Sequence, residues 1–410
     1  MDIFHLFSVV MVLCATFTYI NFRYLKLPST IGLMLISLVF SLLILLAGNF
    51  FPSIMTDVDQ KLYTIDFSEL LLESMLSFML FAGAIHIKYE DLKSEKFTVM
   101  LFSTVSVLIS TIAVGFSTYY LLGLFGISAD IMHCLLFGSL ISPTDPIAVL
   151  SILKSAGVSK SLETKIAGES LFNDGVAVVL FITILKLSQP DAVFDVGSIL
   201  LLFGQEAIGG VILGFIIGWL GYKMIASIDN YKAEVLITIA IVMGGYTLAH
   251  FIHVSGPLAM VVAGLITGNK SKNDGMSQVT ADYVDKFWEL LDEILNAFLF
   301  VLIGLELLII EISNTVLIIA VLLIFILLII RYISVWAPSL LIRFKEVMDR
   351  RTLFILTWGG LRGGISIALA LSIPVGYNKG IWVTITYVIV CFSILVQGLT
   401  IGKLAKNQDE

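Results

Sequence analysis

Charge is scarce in this chain. Only 13% of its 410 residues are Asp, Glu, Lys or Arg, against about 25% in an average soluble domain. Cysteine is scarcer still. Cys14, Cys134 and Cys391 all sit inside apolar runs, so neither a disulfide frame nor a cysteine metal cluster is expected. The five histidines are scattered and match no zinc spacing. Net charge is −7, so no basic surface invites nucleic acid. The N-terminus lacks a basic n-region and a clear cleavage site, and its first apolar segment is expected to stay as a span. What is abundant is apolar: 58% of residues are hydrophobic and mean hydropathy is +1.02. Water penalises that much exposed apolar surface. A cytosolic enzyme, a DNA-binding protein and a disordered regulator are excluded. The fold class expected is an all-α polytopic membrane protein embedded in a lipid bilayer.

A span needs about 20 mostly apolar residues. That window places about thirteen transmembrane helices, near 3–22, 31–51, 68–87, 97–122, 131–153, 166–187, 197–222, 233–253, 256–269, 288–310, 314–342, 352–373 and 380–402. Residues 1–404 then form a single membrane domain and 405–410 a short cytoplasmic tail, leaving no room for a soluble domain. Basic residues set the orientation. With the N-terminus outside, nineteen of the 24 Lys and Arg fall in inner loops and only Lys61, Lys186 and Lys379 in outer ones. The outer loops instead carry Asp57, Asp59, Asp66, Asp191 and Asp195. The expected topology is N-terminus out and C-terminus in, across a cell (inner) membrane. The remaining two, Arg331 and Arg362, sit inside apolar spans, where charge is costly unless paired or hydrated.

Thirteen spans divide as six, one and six. The halves, about 1–187 and 231–404, would be inverted repeats joined by a linker helix at about 197–222. Each half breaks its fifth span, which are spans 5 and 12 of the chain. The first break reads Ser142-Pro143-Thr144-Asp145-Pro146 and the second Gly359-Gly360-Leu361-Arg362-Gly363-Gly364. Proline removes a backbone donor and glycine weakens a helix. Breakers at corresponding places in inverted halves point to a midplane site. Kinking or close packing alone would also use such residues, but both breaks also hold an ionisable side chain. Half-helix N-termini carry positive and C-termini negative partial charge. Asp145 is placed to offset the first and Arg362 the second.

The sixth span reads Gly168-Glu169-Ser170-Leu171-Phe172-Asn173-Asp174-Gly175, followed by an apolar run. Asp174 therefore lies well inside the membrane. Ser170, four residues earlier, shares its helix face, and Glu169 shares another with Asn173. A hydroxyl, an amide and a carboxylate offer oxygen ligands to a small hard cation. Desolvation favours the protonated carboxyl and a nearby cation the ionised one, so Asp174 would bind a proton or a monovalent cation in competition. The alternative is a structural hydrogen-bonding acid, although intramembrane acids default to function. Glu169 instead needs a partner, and Arg331 is the candidate for a structural ion pair.

GESLFNDGVAVVLF, SPTDPIAVL and GGLRGGISIALAL, in the chain's own order of SPTDP, GESLFND and GGLRGG, resemble the NhaP-type sodium/proton antiporters, relatives of the animal sodium–proton exchangers. The resemblance covers essentially the whole chain. It implies that Asp174 binds cation and proton alternately, that Ser170, Thr144 and Asp145 line the same site, and that Glu169 and Arg331 form an ion pair. It further implies Na+, Li+ or K+ exchanged for H+ without a cofactor, by a homodimer whose six-helix bundle moves against a dimerisation domain. Asn173 before the aspartate implies electroneutral exchange. Some relatives carry a glutamate ligand in the third span, where this chain reads Leu80-Phe81-Ala82-Gly83-Ala84.

Weaker signals remain. Gly210, Gly214 and Gly218 form a small-residue stripe suited to close helix contact, either within the subunit or at a dimer face. His250 and His253 are expected at an outer end, and Glu306 is expected to reach the interface. Trp219, Trp288 and Trp336 fit interfacial anchoring. A passive channel would share an acidic midplane site but has less use for paired breaks. An intramembrane hydrolase would need a base beside Ser170 or Ser366, and no such histidine or lysine is evident.

Overall fold

The computed structural model describes residues 3–50, 75–189, 196–308, 310, 313–342 and 348–406. Lys61, Glu73, Arg343 and Lys345, and the outer-loop acids Asp57, Asp59, Asp66, Asp191 and Asp195, lie outside the described residues. All regular structure among the described residues is helical. A helix is one of only two ways to satisfy every backbone polar group in hydrocarbon.

The helices are α1 (Ile3–Ile20), α2 (Ser29–Phe50), α3 (Leu76–Ile85), α4 (Tyr89–Leu124), α5 (Ile131–Ile141), α6 (Ile147–Ser155), α7 (Lys160–Leu187) and α8 (Val196–Ile225). They continue with α9 (Tyr231–Phe251), α10 (Gly256–Ile266), α11 (Gln278–Glu306), α12 (Asn314–Ile342), α13 (Arg350–Trp358), α14 (Gly364–Leu371) and α15 (Lys379–Lys406). Eight of them, α1, α2, α4, α7, α8, α9, α12 and α15, are long and apolar enough to cross a bilayer. Short polar residues start several of the others. Asp130 accepts the Met132 amide at 2.7 Å, Ser255 that of Leu258 at 3.3 Å, and Asp349 that of Thr352 at 2.8 Å. Each satisfies an N–H that the helix leaves open.

Helix contacts fall into two groups. α4, α5, α6, α7, α12, α13, α14 and α15 pack among themselves as one bundle. α1, α2, α3, α8, α9, α10 and α11 form a second layer, here called the panel. The groups meet where α7 lies on α8, α10 and α3, where α11 passes α14, and where α2 touches α6 and α15. α7 is the most enclosed long helix: 67% of its apolar window is buried, against 22% for α1. Its centre is therefore the place most shielded from lipid and water.

Glycines set the closest approaches. A Cβ on Gly138 of α5 would strike the Thr111 carbonyl of α4. The stripe Gly210, Gly214 and Gly218 is spent inside the subunit, because Cβ atoms there would meet Ser255, which caps α10, and Ala259 and Ala263 within it. Two expectations are corrected. Trp288 is not an interfacial anchor. It is fully buried, packs its ring at 4.6 Å and a 49° tilt against Phe81, and donates its indole N–H to Thr238 Oγ1 at 3.0 Å. Glu306 does not reach the interface; it is buried at the end of α11. Trp219 and Trp336 are exposed on the outer surface of the helices.

Candidate functional site

Two helices are interrupted at the centre of the bundle. α5 ends at Ile141 and α6 resumes at Ile147; α13 ends at Trp358 and α14 resumes at Gly364. Pro143 and Pro146 cannot donate to the ladder, and Pro146 disfavours helical backbone at Asp145. The unwound segments cross, and the Asp145 N–H donates to the Leu361 carbonyl at 2.8 Å. Arg362 Nη1 donates to the carbonyls of Ser142 at 2.5 Å and Pro143 at 2.8 Å. A buried guanidinium of the second break thus caps the carbonyl end of the first. Arg362 is itself held from behind. Its backbone N–H donates to Ser393 Oγ at 2.8 Å, Ser393 Oγ donates to Gln397 Oε1 at 2.8 Å, and Gln397 Nε2 donates to the Trp358 carbonyl at 3.0 Å. Ser393 and Gln397 were not legible as part of the site. They lie on a widened turn of α15, a feature frequent at functional positions.

α7 runs past this crossing. Asn173 Nδ2 donates to Thr144 Oγ1 at 2.9 Å, and Asn173 Oδ1 accepts the Thr144 amide at 3.4 Å. Thr144 Oγ1 and Ser170 Oγ lie 3.0 Å apart. Both ends of the Asn173 amide are therefore used on Thr144, which ties α7 to the first break. Asp174 follows directly. No hydrogen bond or ion pair to its carboxylate is present among the described residues. It keeps 7% exposure, where Asn173 has 0% and Thr144 and Ser170 have 2%, so it is the one of the four that still touches open space. Its charge also interacts with that of Asp145. The absent Cβ of Gly363 makes room for the Asp145 carboxyl: an added methyl would sit 2.7 Å from Asp145 Cγ.

Glu169, on another face of α7, lies 2.6 Å from Arg331 Nη1 of α12. Both side chains are buried. Arg331 Nη2 also donates to the Leu356 carbonyl at the end of α13, at 3.3 Å. Gly360 makes room for this guanidinium, since a Cβ there would be 2.7 Å from Arg331 Nε. The sequence candidates therefore fall into two clusters. Asp174, Asn173, Ser170, Thr144 and Asp145 gather at the crossing, with Arg362 on its other side. Glu169 and Arg331 sit behind, pinning α7 to α12 and α13.

Residues 9–407 match the family described as sodium/hydrogen exchanger, transmembrane. The chain belongs to that family. It is 49% identical over 395 residues to the Na+/H+ antiporter NhaP of Pseudomonas aeruginosa, covering 95% of this chain and 93% of that protein. It is 33% identical to the Na+/H+ antiporter NhaH of Halobacillus dabanensis, over 94% of this chain and 93% of that one. Its fold is similar to that of the sodium proton antiporter MjNhaP1 from Methanocaldococcus jannaschii, with a TM-score of 0.76 at 20% identity, covering 98% and 97% of the two chains. The NhaP-type resemblance in GESLFNDG and its companion motifs is thus shown. The sodium/hydrogen exchanger family consists of multi-pass membrane antiporters and is not an enzyme class. The apolar helices described above fit that setting.

Proposed function

We propose that the protein exchanges a monovalent cation for H+ across a cell membrane, with Asp174 as the group for which the two compete. Na+ is the favoured cation, because the relatives named above are Na+/H+ antiporters. Li+ and K+ are the alternatives that an oxygen ligand set also admits. The observation that carries the reading is the state of the Asp174 carboxylate: enclosed, without a protein partner among the described residues, and next to Ser170, Thr144 and Asp145. A carboxylate of this kind needs a proton or a cation.

Antiport requires that the unloaded site not change sides. An empty Asp174 leaves two neighbouring negative charges in the bundle core, which disfavours crossing; either ligand removes that penalty. Asn173 is neutral and both ends of its amide are engaged by Thr144. One carboxylate of the Asn-Asp pair then titrates per cycle, which supports electroneutral one-for-one exchange. Rigid movement of the bundle against the panel would open the site to alternate sides, and the limited contact between the two layers supports it. The wider architecture we propose is thirteen spans in two inverted repeats, N-terminus out and C-terminus in, assembled as a homodimer in the inner membrane.

The test is transport by proteoliposomes containing a pH dye, made acid inside, with Na+, Li+ or K+ added outside and the membrane potential clamped or free. Cation-dependent dequenching that ignores the potential is expected from the wild type. Asp174→Asn is expected to fold and to give none. Full activity in Asp174→Asn would refute the site, dependence on potential would refute electroneutrality, and a folded wild type silent to every cation would refute antiport.

A further inference from the structure

The panel also presents an acid to the crossing. Asp292 lies halfway along α11, fourteen residues from either end of Gln278–Glu306. By the expected span 288–310 it stands one turn inside the inner end, half-buried, and it forms no ion pair among the described residues.

Its direction follows from its neighbours on the same stripe of α11. One turn before it, Trp288 is wedged against Phe81 at 4.6 Å and Phe78 at 6.0 Å of α3. Two turns after it, Leu299 occupies the space where a Cβ of Gly364 would stand. Gly364 follows Gly363, and Gly363 is the residue against which the Asp145 carboxyl rests. Asp292, Asn296 and Leu299 follow the i, i+4, i+7 spacing of one helix face. That face therefore passes the crossing of the two breaks, with Asp292 and Asn296 as its polar members. Asp292 and Asp145 lie within electrostatic reach of each other, and the Asn296 amide is a hydrogen-bond partner of the Asp292 side chain.

Asn296 supplies the independent sign of a ligand. It is 4% exposed. Its Nδ2 donates to the Asp292 carbonyl at 2.8 Å, but its Oδ1 is buried without a hydrogen-bond partner. A buried amide oxygen left unpaired is costly. It belongs to the same helix face as the Asp292 carboxylate, and carboxylate and amide oxygens are what a partly dehydrated Na+ takes up.

We infer that Asp292 and Asn296 form a second, weaker cation-binding site on the panel wall, which passes the ion to Asp145 and Asp174. The inference rests on the antiport reading above. Because Asp292 belongs to the panel and Asp174 to the bundle, the ion is handed across the boundary between the layers.

The test compares wild type with Asp292→Asn, Asp292→Glu and Asn296→Ala. It uses proteoliposome exchange across a series of Na+ concentrations and equilibrium binding of radioactive Na+ to the purified proteins. Loss of one nearby charge predicts about a tenfold rise in KM for Na+ in Asp292→Asn, with little change in maximal rate, a parallel loss of Na+ binding, and recovery in Asp292→Glu. Asn296→Ala should weaken both in the same direction and by less. Should Asp292→Asn fail to reach the membrane, Asn296→Ala decides, because it leaves the charge in place. An unchanged KM and unchanged binding would overturn the inference, as would a fall in maximal rate with KM and binding intact. A wild type that binds Na+ but moves no protons would refute antiport alone, and the binding comparison would still judge the panel site.

Discussion

Removing the carboxylate of Glu169 should cost far more than the same change at another ion pair of similar geometry. Glu169 and Arg331 meet at 2.6 Å with side-chain exposures of 2% and 6%; Asp91 and Lys160 meet at 2.9 Å with exposures of 29% and 68%. In the exposed pair, water and side-chain entropy reduce the net contribution to about 1 kcal/mol or less. In the buried pair, deleting one partner strands the other charge, at about 3–5 kcal/mol. Arg331 would keep only its bond to the Leu356 carbonyl, with the second buried cation, Arg362, within electrostatic reach. Reversible unfolding of the detergent-solubilised protein by added SDS, followed by tryptophan fluorescence, measures the difference. Glu169→Ala should lose about 3–5 kcal/mol and Asp91→Ala about 1 kcal/mol or less. The double variant Glu169→Ala/Arg331→Ala should lose much less than the two single losses added, because no unpaired charge remains. The reasoning fails if Glu169→Ala behaves like Asp91→Ala, or if the two single losses simply add.

Two further outcomes follow from local geometry. Gly363→Ala adds a methyl 2.7 Å from Asp145 Cγ; with φ −121 the backbone accepts alanine, so the protein should accumulate normally while the displaced Asp145 raises KM for the cation. An unchanged KM would show that Asp145 is not needed where it stands. Asp349 caps α13, and its hydrogen bonds from Thr352 hold its carboxyl below the ordinary carboxylate value. Its folded value is depressed, so the stabilisation is present above the unfolded value of about 3.9 and fades as pH falls through the folded one. Asp349→Ala should therefore cost about 1 kcal/mol at neutral pH and progressively less below about pH 4. A cost independent of pH in SDS unfolding would show that the charge is not what caps the helix.

Much of the site could be read along the chain because its signals are local. Asp174 stands out because an acid before an unbroken apolar run has no cheap place in a membrane. The two breaks stand out because proline and glycine act on their own backbone. Ser170 and Asn173 follow from the helical repeat of α7. Signals that depend on a facing helix were misjudged or open. Trp288 carries an apolar body and one donor, which suits an interface as well as a core; Thr238 and Phe81 decide for the core, and they arrive from other helices. The glycine stripe of α8 announces a close neighbour without naming it, and α10 supplies it.

The sequence by itself determined that the chain is a helical membrane protein and where its helices break, because apolar transfer, backbone hydrogen bonding and helix periodicity act on residues near each other in the chain. Only the tertiary structure decided which partners answer the buried charges. Arg362 reaches the carbonyls of Ser142 and Pro143, and Glu169 meets Arg331. A buried charge obliges the chain to provide a partner, ligand or proton, but not at any fixed distance along it. Helix packing selects which of them arrives.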